Sequence, residues 1–164
     1  GVDMSSGSLG QGISCAVGMA LSAKHFGDDF KVYTILGDGE CEEGQVWEAA
    51  MFAANKGLSN LTAFIDYNNL QIDGTIEEVN SAAPFDKKFE AFGWHTITIN
   101  GNDFDEIEKA IEETRKKGKR TFAEAASQEE GFSFYERYFL KAKTLTEERQ
   151  IELKKERERA SISR

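Results

Sequence analysis

Lys31-Val32-Tyr33-Thr34-Ile35-Leu36 runs into Gly37-Asp38-Gly39-Glu40, and Val46, Ala49, Ala50, Ala53 and Ala54 follow at helical spacing. The first six residues read as a short buried strand, since β-branched and aromatic side chains suit a pleated surface. Two glycines around an acid break it. The later apolar residues make one stripe of a helix that ends near Gly57. Strand, turn and helix are the first half of a βαβ unit. Residues 60–66, with Leu61-Thr62-Ala63-Phe64-Ile65 at their centre, supply the second strand.

The same alternation extends both ways. Upstream, Ile13, Ala16, Val17, Ala20 and Leu21 repeat at helical spacing and Gly27 closes the stretch. Downstream, a loop to about Ala83 precedes Pro84, a residue favoured in a first helical turn. Phe85, Phe89 and Phe92 then line one face of a short helix, and residues 95–99 form a third strand. Asp103 and Glu106 have capping-box spacing ahead of Phe104, Ile107, Ile111 and Thr114. A weak strand runs over residues 121–126. Strands alternating with helices predict a three-layer α/β/α fold with a mostly parallel sheet and right-handed crossovers. Ligands of such sheets bind beyond the carboxyl ends of the strands.

A chain of 164 residues has room for one ordinary domain. Hydrophobic residues at 40% and charged residues at 30% are a globular profile. Lys and Arg number 20 against 29 Asp and Glu. The resulting charge of −9 argues against a nucleic-acid partner, which needs a basic face. Residues 141–164 carry eight basic and five acidic side chains, so the first 140 hold the acidic excess. The chain therefore divides into a body of residues 1–140 and a charged helix or tail of residues 141–164. Two cysteines exclude a disulfide scaffold and fit a reducing, cytoplasmic setting. No apolar run approaches a membrane span.

Three segments carry chemistry together. Glycines beside Asp38 let the backbone turn tightly and approach a ligand. Asp38, Glu40, Glu42, Glu43 and Glu48 form an acidic run with no base among them. Such a run is either a solvated surface or a hard-cation site, and Mg²⁺ takes oxygen ligands. Asp66-Tyr67-Asn68-Asn69-Leu70-Gln71-Ile72-Asp73-Gly74 stands at the end of the second strand, with Asn68 thirty residues after Asp38. The Asn68 amide oxygen and the Leu70 carbonyl are suitable Mg²⁺ ligands, and the alternative is an Asn-rich loop with an Asp-Gly turn. Gly7-Ser8-Leu9-Gly10-Gln11-Gly12 opens the first helix and permits close backbone approach to a flat or anionic group.

Gly-Asp-Gly followed at this distance by Asn-Asn resembles the thiamine diphosphate signature. Gly37-Asp38-Gly39-Glu40-Cys41-Glu42-Glu43-Gly44-Gln45-Val46-Trp47-Glu48-Ala49-Ala50, Leu70-Gln71-Ile72-Asp73-Gly74 and Ala91-Phe92-Gly93-Trp94-His95 look like transketolase. The resemblance is greatest to the separately encoded amino-terminal subunit of split bacterial and archaeal transketolases, over residues 1 to about 120. It implies that Asp38, Asn68 and the Leu70 carbonyl bind Mg²⁺. Gly39 and Glu40 would give backbone contacts near the diphosphate, and Gly7, Leu9 and Ile72 would pack around the cofactor rings. Glu43 would lie at a subunit interface. Glu42 and Glu48 gain no role and read as solvated.

The implied activity is transfer of a two-carbon ketol unit from a ketose phosphate to an aldose phosphate in the pentose phosphate pathway. The activating glutamate is expected on a partner chain, the pyrimidine-binding carboxy-terminal subunit. Two alternatives stand beside this. One is another thiamine diphosphate enzyme acting on a 2-keto substrate, similar to deoxyxylulose-phosphate synthase. The other is a catalytically inactive remnant. The second is motivated by the start at Gly1, which reads as a truncation before the family's channel histidines, and by the departure after Thr121. There Glu124 would be poorly placed in a buried central strand. Among other candidates, Cys15 reads as core, Cys41 as oxidisable, and His25 as exposed beyond the first helix. His95 reads as a packed or edge histidine, and Trp47 and Met51 as core or interface.

Overall fold

A computed structural model describes residues 2–117 and 121–126. Helix α1 (Gly12–Phe26) buries Ile13, Ala16, Val17, Ala20 and Ala23 along one stripe. Cys15 falls off that stripe and is exposed, which corrects its reading as core. His25 lies in the last turn of α1 rather than beyond it, and is exposed as expected. Strand β1 (Val32–Gly37) leads through a 3₁₀ turn (Gly39–Glu42) into helix α2 (Gly44–Lys56). Strand β2 (Leu61–Tyr67) follows, and its first six residues are all buried. Near-continuous burial is what a strand covered on both faces requires.

The loop expected up to Ala83 holds structure of its own. A small antiparallel hairpin pairs β3 (Leu70–Gln71) with β4 (Gly74–Thr75). One turn of helix, α3 (Ile76–Val79), follows with a reciprocal capping box between Thr75 and Glu78. Pro84 stands at the N-cap of helix α4 (Phe85–Ala91) rather than inside its first turn. Strand β5 (His95–Asn100), helix α5 (Phe104–Lys117) and strand β6 (Thr121–Ala126) complete the described fold. The capping box expected before α5 forms only by half. Asp103 Oδ1 accepts from the Glu106 N–H at 3.3 Å, but Glu106 Oε2 accepts from the Asn100 N–H at 2.7 Å.

The four long strands are all parallel, in the order β1-β2-β6-β5. Helices α1, α2 and α4 pack on one face around Ile13, Val46, Leu61, Ile65, Phe85, Phe89 and Phe122. Helix α5 covers the other through Phe64, Ile99, Ile107, Ala110 and Ala123. This is the expected three-layer α/β/α arrangement. The strand expected over residues 121–126 forms as β6 and lies between β2 and β5, with Glu124 in register against Ile65 and Thr98. Phe122 and Ala123 explain that placement, since each fills a different one of the two cores and backbone bonds satisfy the rest of the ladder. Among the described residues, no helix is long and apolar enough to cross a membrane. The expected tail of residues 141–164 lies outside the described residues.

The register sets the ligand edge. Gly37 pairs with Asp66, so β1 and β2 end at the same level. Toward the amino-terminal ends of the strands, Phe89 stacks on Phe122 with ring centroids 4.1 Å apart and meets Trp94 edge-on at 5.3 Å. Phe89 is fully buried, whereas Phe26 is 74% exposed. Phe89→Ala should therefore cost about 3–5 kcal/mol in urea unfolding, and Phe26→Ala should stay within about 0.5 kcal/mol.

Candidate functional site

Asp38 follows the last residue of β1, and its backbone N–H donates to the Asp66 carbonyl at 3.3 Å. Its side chain is 2% exposed. Oδ1 accepts from the Gly39 N–H at 2.8 Å, and Oδ2 accepts from the Asn69 N–H at 2.6 Å. One carboxylate thus joins the turn after β1 to the loop after β2. Burial pushes its pKa up to about 6, against the two N–H bonds, and neighbouring Asp66 adds repulsion.

The loop after β2 brings further oxygens to the same edge. Asn68 Oδ1 accepts from the Leu70 N–H at 2.9 Å, which folds residues 68–70 into a tight turn. Asn69 adopts φ 62°, a left-handed conformation that asparagine tolerates better than most residues. Its Oδ1 is buried without a hydrogen-bond partner among the described residues. A buried orphan oxygen is costly unless a donor or cation arrives. Asp38, Asn68 and the Leu70 carbonyl are a carboxylate, an amide and a carbonyl, each an oxygen donor of the kind Mg²⁺ takes. Among the described residues, no three His, Cys, Asp or Glu side chains gather into a metal cluster. The residues expected around a metal therefore fit Mg²⁺ by donor type, with one carboxylate among them.

Glu40 has a role that its place in an acidic run concealed. It is 7% exposed, and its carboxylate accepts from the Gly10 N–H at 2.9 Å and the Gly37 N–H at 3.1 Å. It ties the glycine loop before α1 to the end of β1. Burial raises its pKa, opposed by those two N–H groups. Gly10 is required there for two reasons. Its φ is +69°, and a Cβ would lie 2.7 Å from Glu43 Cβ. Glu43 itself is exposed at the start of α2. The expected backbone role of Gly39 meets a competing partner, because its N–H already serves Asp38.

The other expected residues lie apart from this network. Gly7 is exposed, Leu9 is 59% exposed and Ile72 is fully exposed. Cys41 is fully buried, and burial together with the Glu40 and Asp38 charges pushes its thiol well up. Oxidation starts from an accessible thiolate, so the reading of Cys41 as oxidisable is corrected. Glu48 is exposed, as read, but Glu42 is half-buried and accepts from Gln71 Nε2 at 2.8 Å. Trp47 is half-buried, 5.4 Å from the Phe89 ring, while Met51 is 48% exposed. His95 is a half-buried edge-strand residue whose Nε2 lies 2.8 Å from Glu113 Oε1. The side-chain bond of Glu40 to Gly10 and the Gln71–Glu42 pair escaped the sequence because their partners lie 30 and 29 residues apart.

The described residues form an α/β protein whose loops after β1 and β2 meet at the carboxyl edge of a parallel sheet, around the buried carboxylates of Asp38 and Glu40. Residues 1–127 match the family described as transketolase, thiamine diphosphate binding domain, and the chain belongs to that family. It is 52% identical over 116 residues to the 6-deoxy-6-sulfo-D-fructose transketolase subunit SqwG of Clostridium sp. (strain MSTE9), covering 71% of this chain and 42% of that one. It is 43% identical over 120 residues to an apulose-4-phosphate transketolase subunit of Phocaeicola vulgatus, covering 71% and 43%. The crystal structure of transketolase from Campylobacter jejuni superposes with a TM-score of 0.71 at 35% identity, covering 77% of this chain and 21% of that one. The chain thus spans less than half the length of these relatives.

The buried acids have measurable consequences. Asp38 has a folded pKa above its unfolded value, so its contribution to stability is fully present below the ordinary 3.8 and is lost as pH rises through about 6. In EDTA, the thermal midpoint of the unaltered chain relative to Asp38→Asn should therefore rise as pH falls from 7 to 4. Glu40→Ala strands two backbone N–H groups and should cost about 3 kcal/mol in urea unfolding.

Proposed function

We propose that this chain binds Mg²⁺ and the diphosphate of thiamine diphosphate as one half of a transketolase site. The body of residues 1–140 forms that half, and a pyrimidine-binding partner chain supplies the other half with the activating acid. The reaction is transfer of a two-carbon ketol unit from a ketose phosphate to an aldose phosphate in the cytoplasm. The observation that carries this reading is the buried Asp38 carboxylate, held between two backbone N–H groups beside the Asn68-Asn69-Leu70 turn.

Bound thiamine diphosphate supplies the ketol-transfer chemistry. Asp38, Asn68 and the Leu70 carbonyl hold Mg²⁺. A cation offsets the burial cost that raises the Asp38 pKa. Gly39 and the backbone at Glu40 face the diphosphate, and Gly7, Leu9 and Ile72 cover the rings. Leu9 and Ile72 expose apolar surface that bound cofactor would remove from water. Glu43 meets the partner chain at the mouth of the shared site.

A second reading concerns the donor. The relative at 52% identity is named for 6-deoxy-6-sulfo-D-fructose, a ketose with a sulfonate where a phosphate would stand. Product analysis with fructose 6-phosphate, 6-deoxy-6-sulfofructose and pyruvate separates ketose phosphate, sulfoketose and 2-keto substrates. Absence of turnover with all three, in the presence of the partner, would favour an inactive remnant. The binding role itself is tested by titrating thiamine diphosphate into the full chain with and without Mg²⁺. Binding should need the metal, and both Asp38→Ala and the surface-loop variant Asn68→Ala should lose it. Unchanged binding in both variants would reject the assigned ligands.

A further inference from the structure

We propose that Gln71 is a positioning residue that latches the hairpin of residues 70–75 over the Gly39 turn, and so sets how tightly the Asp38, Asn68 and Leu70 oxygens hold Mg²⁺. The inference rests on the Mg²⁺-diphosphate reading given above. Strand alternation turns Gln71 inward between two outward residues, Leu70 at 39% exposure and Ile72 fully exposed. Its amide Nε2 donates to Glu42 Oε1 at 2.8 Å. An ionised acceptor makes this a stronger bond than a neutral pair. Beneath it, a Cβ on Gly39 would lie 2.9 Å from Gln71 Cβ. The hairpin therefore closes onto the turn at a spot that only glycine leaves open.

Two-residue strands do not hold a hairpin in place by themselves. Leu70 and Ile72 add little, because both face outward. The Gln71–Glu42 bond ties the hairpin to the same 3₁₀ turn that follows Asp38. The position of the hairpin matters to two oxygens at once. The Leu70 carbonyl belongs to β3, and Asn68 Oδ1 is bound to the Leu70 N–H at 2.9 Å. Asp38 stands on the other side, fixed to the end of β1 and buried. Asn69 stays tied to Asp38 by its N–H at 2.6 Å, so a hairpin that lifts from Gly39 pivots there and swings the Leu70 carbonyl, with the Asn68 oxygen bonded to its N–H, out of place. Mg²⁺ demands near-octahedral geometry and tolerates such displacement poorly. Residues that orient metal ligands typically change affinity by roughly ten- to a hundredfold when removed.

The test titrates Mg²⁺ into the full chain at saturating thiamine diphosphate, with the thermal midpoint of each variant measured separately in EDTA. Gln71→Ala should weaken Mg²⁺ binding about tenfold while moving the midpoint by no more than about 2 °C. Gln71→Glu sets a second carboxylate against Glu42 and should weaken binding further. Combining Gln71→Glu with Glu42→Gln exchanges donor and acceptor and should restore the affinity. Native affinity in both single variants, or no recovery in a folded double variant, overturns the latch. Asp38→Ala is the reference. If it binds Mg²⁺ with native affinity, the metal reading beneath fails; if it alone loses binding, the metal reading stands and the latch falls.

Discussion

A single buried carboxylate holds the ligand edge of this domain together. Asp38 accepts one N–H from its own turn and another from Asn69, beyond the next strand. The parallel register makes this possible, since Gly37 and Asp66 pair at the level where both strands end. The arrangement costs free energy in the isolated chain, and the raised pKa of Asp38 is the sign of it. Groups held in this way at a strand end suit a bound cation better than a bare site. The proposed Mg²⁺ would remove the penalty that the fold imposes.

Glu40 does for the first loop what Asp38 does for the second. Its two backbone bonds anchor the glycine loop at Gly10 to the end of β1. Two acids, two positions apart, thus gather three loops around one point. Both are nearly fully buried, while Glu43 and Glu48 in the same acidic run face solvent. The run is therefore neither a uniform solvated surface nor a cluster of metal ligands. It is a division of labour between acids that organise backbone and acids that face outward.

The layer order and the helical stripes were legible because burial leaves a period in the sequence. Ile13, Ala16, Val17 and Ala20 mark one helix face, and the unbroken apolar run of β2 marks a covered strand. Asp38, Asn68 and Leu70 are candidates through resemblance to the transketolase motif, and the fold brings their two loops together through the Asn69 N–H on Asp38 Oδ2 at 2.6 Å. The central place of β6 was not legible, because Glu124 looks wrong for an interior strand and periodicity says nothing of strand order. Cys15 was misplaced by one step around the helix. The side-chain role of Glu40 and the Gln71–Glu42 pair were hidden for a different reason. Their partners are brought together only by the fold, across 29 or 30 residues of chain.

The proposed role of this edge of the sheet is to hold a metal on a cofactor diphosphate. Crystals of the full chain grown with thiamine diphosphate and Mn²⁺ in place of Mg²⁺ test it most directly, through an anomalous difference map at the manganese edge. One strong peak is expected within bonding distance of the Asp38 carboxylate, the Asn68 amide oxygen and the Leu70 carbonyl, with diphosphate oxygens completing its shell. A cofactor bound with the metal elsewhere, or a metal at this edge without Asp38 among its ligands, would contradict it.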